Sequence, residues 1–313
     1  MSVFCEAKIV TESANLDVAV LIPCLNEGRT IGEVVKQFKS VLPSSTVYVY
    51  DNGSTDDTVP RSLQAGALVF HENTRGKGNV VRRMFADVKA DFYLMLDGDG
   101  TYDPSDAPLL LNELVEGHLD MVVGSRSKQK NARRGHNIGN RMFTFLYGWL
   151  FGRGFSDIFS GYRAFSDRFV HSFPAVSSGF EIETEMSVHA SQLGLPVAEV
   201  DISYEERIEG SDSKLRTYVD GWRILWAMLV LLKNNRPLAL FGSLSVLSFL
   251  LAALFGIPII VDFSQTGLVE KLPTAVLASG LAVAGLVQLA LGLILESLSR
   301  ARIEIKRLSY LNS

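Results

Sequence analysis

The stretch Phe92-Tyr93-Leu94-Met95-Leu96-Asp97-Gly98-Asp99 reads as an apolar strand that ends in two carboxylates one residue apart. In an open α/β sheet, ligands bind beyond the carboxyl ends of the strands. Two more segments repeat the pattern. Asp51 follows Val47-Tyr48-Val49-Tyr50, and Glu27 follows Val18-Ala19-Val20-Leu21-Ile22 after the loop Pro23-Cys24-Leu25-Asn26. Three strands that deliver acids to one rim point to a metal ion and a phosphorylated, hydroxyl-rich ligand. Mg²⁺ or Mn²⁺ takes one or two such carboxylates and fills its shell with substrate phosphates and water.

Working outward, strand-like and helix-like segments alternate. Strands are predicted near 18–22, 47–50, 67–70, 92–96 and 120–123, and helices near 30–41, 56–65, 77–89 and 106–116. This is an α/β pattern, a mostly parallel sheet with helices on both faces. The regularity ends after Gly124. Residues 138–155 are rich in aromatics (Phe143, Phe145, Tyr147, Trp149, Phe151, Phe155) and suit subunits, in a homo-oligomer, or lipid equally well. Asp220 to Leu232, with Trp222 and Trp226, reads as a core helix or as an in-plane interfacial helix.

The chain has 313 residues and a formal net charge of −4, so no global basic field invites nucleic acid. Its two cysteines, Cys5 and Cys24, fit neither a disulfide framework nor a zinc site. The first 17 residues lack a basic stretch followed by an apolar core, so no signal peptide is read. Leu238–Val261 and Pro273–Leu295 are uncharged runs of 24 and 23 residues, about 36 and 34 Å as helices and long enough to span a bilayer. Gly242, Gly256, Gly280, Gly285 and Gly292 suit close helix contacts there. Lys233 and Arg236 precede the first run, and Arg300, Arg302, Lys306 and Arg307 follow the second. By the positive-inside rule, both ends of the hairpin and the large domain face the cytoplasm. The expected organisation is a catalytic domain over 1–215, a juxtamembrane helix over 216–236 and a two-span hairpin with a basic tail over 237–313.

Single motifs between the strands are weak. Asp51-Asn52-Gly53-Ser54-Thr55 is a strand-to-helix turn, and Asp51 ends its strand where it can accept from a base N–H or ribose hydroxyls. Arg75-Gly76-Lys77-Gly78-Asn79 is a glycine-flanked basic loop suited to a diphosphate, without full P-loop spacing. Asp99 is expected on the metal, with Asp97 on the ribose or the metal's water shell.

The ordered set is more specific than its parts. Ile22-Pro23-Cys24-Leu25-Asn26-Glu27, the Asp51 turn, Gly76-Lys77-Gly78, Asp97-Gly98-Asp99 and Gly124-Ser125-Arg126 resemble a family 2 glycosyltransferase of the GT-A fold. So do Asp157-Ile158-Phe159-Ser160-Gly161-Tyr162-Arg163, Gly179-Phe180-Glu181-Ile182-Glu183 and Arg207-Ile208-Glu209-Gly210-Ser211-Asp212-Ser213-Lys214-Leu215. The set is similar to polyprenyl-phosphate glycosyltransferases of the dolichyl-phosphate mannose synthase group, and the two spans match their membrane-anchored bacterial branch. Where many of those synthases carry Leu-Gln after the Asp-x-Asp, this chain carries Gly100-Thr101-Tyr102. The resemblance therefore assigns neither mannose nor a third metal ligand.

The resemblance implies inverting transfer of a hexose from a nucleotide-diphosphate sugar, UDP-sugar favoured, to polyprenyl (undecaprenyl) phosphate. The setting would be the inner membrane, and a separate flippase and glycosyltransferase would use the product for the cell envelope. Donor binding would fall to Pro23, Asn26, Glu27, Asp51, Lys77, Asp97 and Gly98, and the metal to Asp97 and Asp99. A phosphate monoester is already largely ionised near neutral pH, so its binding calls for cations. The candidates are Arg126, Arg133, Arg134, Arg141, Arg163, Arg207 and Lys214, with Ser160 and Ser213 beside them. Asp157 stands where related enzymes with hydroxyl acceptors place a base; with a phosphate acceptor it would orient Arg163 or the sugar. Glu181 and Glu183 either contact the sugar or cap the helix and pair with arginines. The rivals are transfer to a hydroxyl-bearing lipid, which makes Asp157 a true base, and a non-catalytic membrane adaptor, against which the intact Asp97, Asp99 and Asp157 argue.

Overall fold

Strands and helices alternate along the first half of the chain as their periodicities require. A computed structural model describes residues 16–126, 147–148, 155–179, 181–204, 229–230 and 232–312. The order is β1 (Val18–Cys24), α1 (Ile31–Val41), β2 (Thr46–Asp51), α2 (Thr58–Gln64), β3 (Leu68–His71), α3 (Lys77–Asp87), β4 (Phe92–Met95), α4 (Ala107–Glu116) and β5 (Met121–Ser125). Then come β6 (Arg163–Ser166), α5 (Asp167–Ser172), α6 (Ile182–Leu193), β7 (Val197–Asp201), α7 (Pro237–Thr266) and α8 (Leu272–Leu311). The expected elements of the first half all form, with ends shifted by no more than two residues.

The strands form one sheet in the order β3-β2-β1-β4-β6-β5-β7. All neighbours are parallel except β6, which runs antiparallel to both β4 and β5. Both faces of the sheet are covered, which is why the central strands are apolar without alternation. On one face Val18, Val20 and Ile22 of β1 meet Leu94 and Leu96. Helix α1 adds Ile31, Val34, Val35 and Phe38, and α4 adds Ala107, Leu110, Leu111 and Leu114. Each helix set has the i, i+3, i+4, i+7 spacing of one helical face. On the other face Tyr93 and Phe165 pack against Phe85 of α3, which also meets Phe173.

The chain divides into two compact units, Met1–Lys214 with Lys306–Ser313, and Leu215–Ile305. In the first, the closing turns of α8 are tied down by Tyr310, whose hydroxyl donates to the buried Asp120 at 2.9 Å. In the second, α7 and α8 run antiparallel and are long and apolar enough to cross a membrane. Ser245 Oγ donates to the Gly285 carbonyl at 2.7 Å, and Ser248 Oγ donates to Gln288 Oε1 at 3.0 Å. Gly285 lies against Phe249, Gly292 against Phe241 and Leu238, and Gly256 against Ala278. Those three glycines admit the close approach expected of them. Gly242 and Gly280 do not face the facing helix.

Candidate active site

The parallel strands β1, β2 and β4 end on one rim, and the turn after β4 carries the Asp-x-Asp. Gly98 makes that turn fit. A Cβ there would press on Cys24 Sγ at 2.7 Å, and the Gly98 carbonyl accepts from Thr30 Oγ1 at 2.6 Å. Gly98 is thus a packing residue of the rim. Gly100, at φ +73°, takes the left-handed conformation that glycine tolerates. Thr101 N and Oγ1 donate to Asp99 Oδ1 at 3.1 and 2.6 Å, which fixes the carboxylate.

Asp97 and Asp99 line a cavity of about 250 Å³ together with Lys77, Thr101, Tyr102, Arg126, Phe159, Glu183 and Tyr204. Lys77 bridges two of its acids: its Nζ pairs with Asp97 Oδ1 and, at 2.5 Å, with Glu183 Oε1. Burial works against the charge on Lys77, but Asp97 and Glu183 outweigh it and hold the ammonium well above its ordinary range. Backbone Gly161 lies on this pair: a Cβ there would meet Asp97 Oδ2 at 2.7 Å and Lys77 Nζ at 3.3 Å. The Gly161 N–H donates to the Tyr102 hydroxyl at 2.9 Å. Burial first, then the Asp97 charge, push the Tyr102 phenol up to about 12, so it stays protonated.

Arg126 presents a fixed guanidinium to the same cavity. Its Nε and Nη2 donate to Asp157 Oδ2 and Oδ1 at 2.6 and 2.8 Å, a bidentate pair, and it lies 5.2 Å from the Tyr204 ring centroid. Asp157 N donates in turn to Glu199 Oε1 at 3.3 Å. Both Asp157 oxygens are engaged by Arg126, so this carboxylate positions an arginine, and that arginine is Arg126 rather than Arg163.

Several expected ligand residues are placed elsewhere. Arg163 is wholly buried. Its donors go to the Ser160 and Ile158 carbonyls at 2.9 and 2.6 Å and to Ser187 Oγ at 2.9 Å. It braces the 157–163 loop against α6 and does not line the cavity, which corrects its assignment to the acceptor phosphate. Ser160 is likewise fully buried, and its carbonyl accepts from Arg163 Nε. Glu181 is exposed at the mouth of α6, whereas Glu183 lines the cavity. Asp51 turns inward: its oxygens accept from Gly53 N and Ser54 N at 3.1 Å, and it is 3% exposed. It is a turn-holding group here.

The Gly76-Lys77-Gly78 loop is also used internally. Gly76 N donates to Asn52 Oδ1 at 2.8 Å and Gly78 N to the Ser178 carbonyl at 3.1 Å. A Cβ at Gly76 or Gly78 would collide with the Ser178 or Ser177 carbonyl. These glycines admit the 177–178 backbone, and Lys77 of the same loop lines the cavity. Asn26, with φ 59°, ties two rim loops: its N–H donates to Ser54 Oγ at 2.8 Å and its Oδ1 accepts from Thr55 N at 2.8 Å. Glu27 N donates to Thr58 Oγ1 at 2.9 Å, and Pro23 lies within β1 beside Tyr50. Arg133, Arg134, Arg141, Arg207, Ser213 and Lys214 lie outside the described residues, as does most of the expected juxtamembrane helix. Of the aromatic segment, Tyr147 and Phe155 are described; both are buried, their ring centroids 5.9 Å apart.

Tyr102, Tyr204, Phe159 and Thr101 carry no local signal that marks them as cavity residues. Only the fold gathers them. Among the described residues no cluster of three or more His, Cys, Asp or Glu side chains is poised to hold a metal by itself. Two hard carboxylates on one turn beside a cavity of about 250 Å³ fit Mg²⁺ or Mn²⁺ that arrives with phosphate oxygens.

Residues 19–173 match the family described as Glycosyl transferase family 2. Glycosyltransferase AglJ of Haloferax volcanii is 37% identical over 235 residues, which cover 74% of this chain and 77% of that protein. The dolichyl-phosphate hexose transferase of the same organism is 26% identical over 68% of this chain and 92% of its own length. Glucosyl-3-phosphoglycerate synthase of Mycobacterium tuberculosis, in complex with Mn²⁺, UDP-glucose and phosphoglyceric acid, superposes with a TM-score of 0.57 at 22% identity. That likeness covers 72% of this chain and 80% of the synthase, and it shows a shared GT-A fold. The relationship to AglJ along most of both chains, together with the Asp-x-Asp turn at the end of β4, establishes that this chain belongs to glycosyl transferase family 2.

Proposed function

We propose that this glycosyltransferase moves a hexose from a nucleotide-diphosphate sugar, a UDP-sugar in preference, to a polyprenyl phosphate, with inversion at C1. The observation that carries the reading is the Arg126–Asp157 pair on the wall of the cavity that holds Asp97, Asp99 and Lys77. Asp157 takes the Nε–Nη2 edge of Arg126, and the remaining edge of the guanidinium suits an anionic acceptor. The carboxylate that would deprotonate a hydroxyl acceptor is already engaged by Arg126 at both oxygens. A phosphate acceptor needs no such base, because it arrives ionised.

In this reaction a phosphate oxygen bonds C1 as the C1–O bond to the diphosphate breaks, and the nucleoside diphosphate leaves with the electron pair. Asp97 and Asp99 would hold Mg²⁺ or Mn²⁺, which supplies charge neutralisation at the diphosphate when bound. Lys77 adds a buried cation at the same end. Arg126 holds the acceptor in line and so lowers the entropic part of the barrier. The likeness to a dolichyl-phosphate hexose transferase supports a lipid phosphate. So do the two long apolar helices, which we assign to an inner-membrane anchor with the catalytic unit and both termini on the cytoplasmic side. The basic residues flanking the hairpin support that orientation.

The test is sugar transfer by detergent-purified full-length protein with Mn²⁺ or Mg²⁺ and a panel of UDP- and GDP-sugars. Undecaprenyl phosphate, undecaprenol and diacylglycerol serve as acceptors. Transfer to the phosphate-bearing lipid alone is expected. Transfer to either hydroxyl lipid would return Asp157 to the role of a base and overturn the acceptor assignment.

A further inference from the structure

We infer that Glu183 reads the transferred sugar and makes this cavity select a neutral, hydroxyl-rich hexosyl donor over one that carries a carboxylate. The inference rests on the donor reading given above. Glu183 is 4% exposed and lines the cavity beside Lys77, Asp97 and Asp99. Its Oε1 is held by Lys77 at 2.5 Å. Its Oε2 is buried and accepts no hydrogen bond among the described residues.

A buried carboxylate oxygen without a donor is costly, and native proteins seldom leave one so. The residue stands in the first turn of α6, where the helix dipole favours negative charge. It is therefore a fixed anion short of one hydrogen-bond donor. A sugar hydroxyl supplies that donor. A carboxylate in place of that hydroxyl supplies none and adds a fourth negative group to Asp97, Asp99 and Glu183, beside the two lining cations Lys77 and Arg126. If Glu183 merely steadied Lys77, Oε1 would be enough, and the charge on the sugar would not matter.

UDP-glucose and UDP-glucuronate differ only at C6, hydroxymethyl against carboxylate, and so isolate the effect. Calorimetric titration of the detergent-purified full chain with Mn²⁺ measures both, with UDP alone as reference. Wild type should bind UDP-glucose at least about tenfold more tightly than UDP-glucuronate, and Glu183→Gln should narrow that ratio about tenfold while UDP affinity stays within about threefold. Glu183→Asp keeps the charge, so it should still reject glucuronate while loosening glucose. It also carries the test should the glutamine variant fail to fold. A ratio that Glu183→Gln leaves unchanged, a parallel loss of UDP affinity, or a wild-type preference for glucuronate would overturn the inference. The expected binding pattern without transfer to undecaprenyl phosphate would break the acceptor assignment alone. A glucose-to-glucuronate ratio that ignores Glu183, with transfer to undecaprenyl phosphate intact, would break this inference alone.

Discussion

Lys77 and Arg163 both bury their charged side chains in the catalytic unit, and both were expected on phosphate, Lys77 at the donor and Arg163 at the acceptor. Lys77 neutralises two carboxylates, Asp97 and Glu183, on the wall of a cavity. Arg163 meets two carbonyls and a hydroxyl away from that cavity. Its burial pulls the guanidinium below its ordinary range, with Glu183 and Asp157 opposing at longer range. Burial of a cation therefore does not mark function. Its partners do: acids that a ligand or metal can claim are exchangeable, whereas backbone carbonyls of a loop are not.

The largest effect expected from this contrast lies at the cavity. Asp99→Ala should lower metal-dependent transfer about 10³-fold with little change in thermal stability, since the loss falls on charge stabilisation in the reaction. Full activity in that variant would remove the metal from Asp99. The two cations themselves come next. Lys77→Met should cut transfer per folded molecule about 10²-fold. Arg163→Met should leave that quantity within about threefold but destabilise the fold by about 3 kcal/mol, because buried carbonyls lose their donor. Chemical denaturation and single-turnover kinetics on both variants separate the two outcomes, and equal kinetic losses would erase the distinction.

Helix α6 repeats the contrast along its own length. Glu183 faces the cavity, whereas His189 sits among Phe169 and Phe173, with Nε2 2.9 Å from Ser172 Oγ. Burial, then the nearby Lys306 charge, lower His189 to about 3. The unfolded chain therefore binds a proton below about pH 6.5 that the folded chain refuses, and stability falls as pH drops from there toward 3. At pH 5 this single group should cost about 2 kcal/mol. Substituting His189→Gln should flatten the pH dependence of unfolding over that window; an unchanged slope would move the effect to other groups. The smallest expected change is Asp157→Asn. As a positioning residue for Arg126 it should lose about tenfold in transfer and leave the pH profile in place, whereas a general base would cost at least about 10²-fold and remove the basic limb.

Residue by residue, the sequence was most legible where a local rule governs. Val18–Ile22 and Phe92–Leu96 had to be strands, being short apolar runs bounded by turn residues. Ile31, Val34, Val35 and Phe38 could share one face only on a helix. The acids at the ends of these strands were legible for the same reason, since strand direction sets the rim. The arginine assignments failed at Arg163 because a motif gives a residue's place in order, not the side of the sheet to which its side chain turns. Gly76 and Gly78 show the same limit: glycine signals close backbone approach, and only the fold shows that the 177–178 segment of the same chain is what approaches.

By itself, then, the sequence determined the α/β alternation, the Asp-x-Asp rim and two helices long and apolar enough for a membrane. These follow from periodicity and length, which act between near neighbours. Only the tertiary structure decided that β6 enters antiparallel between β4 and β5, that Lys77 is shared by Asp97 and Glu183, and that Asp157 holds Arg126. Those pairings join residues distant in the chain, and the energy of a buried charge depends on which partner the fold brings within hydrogen-bond reach.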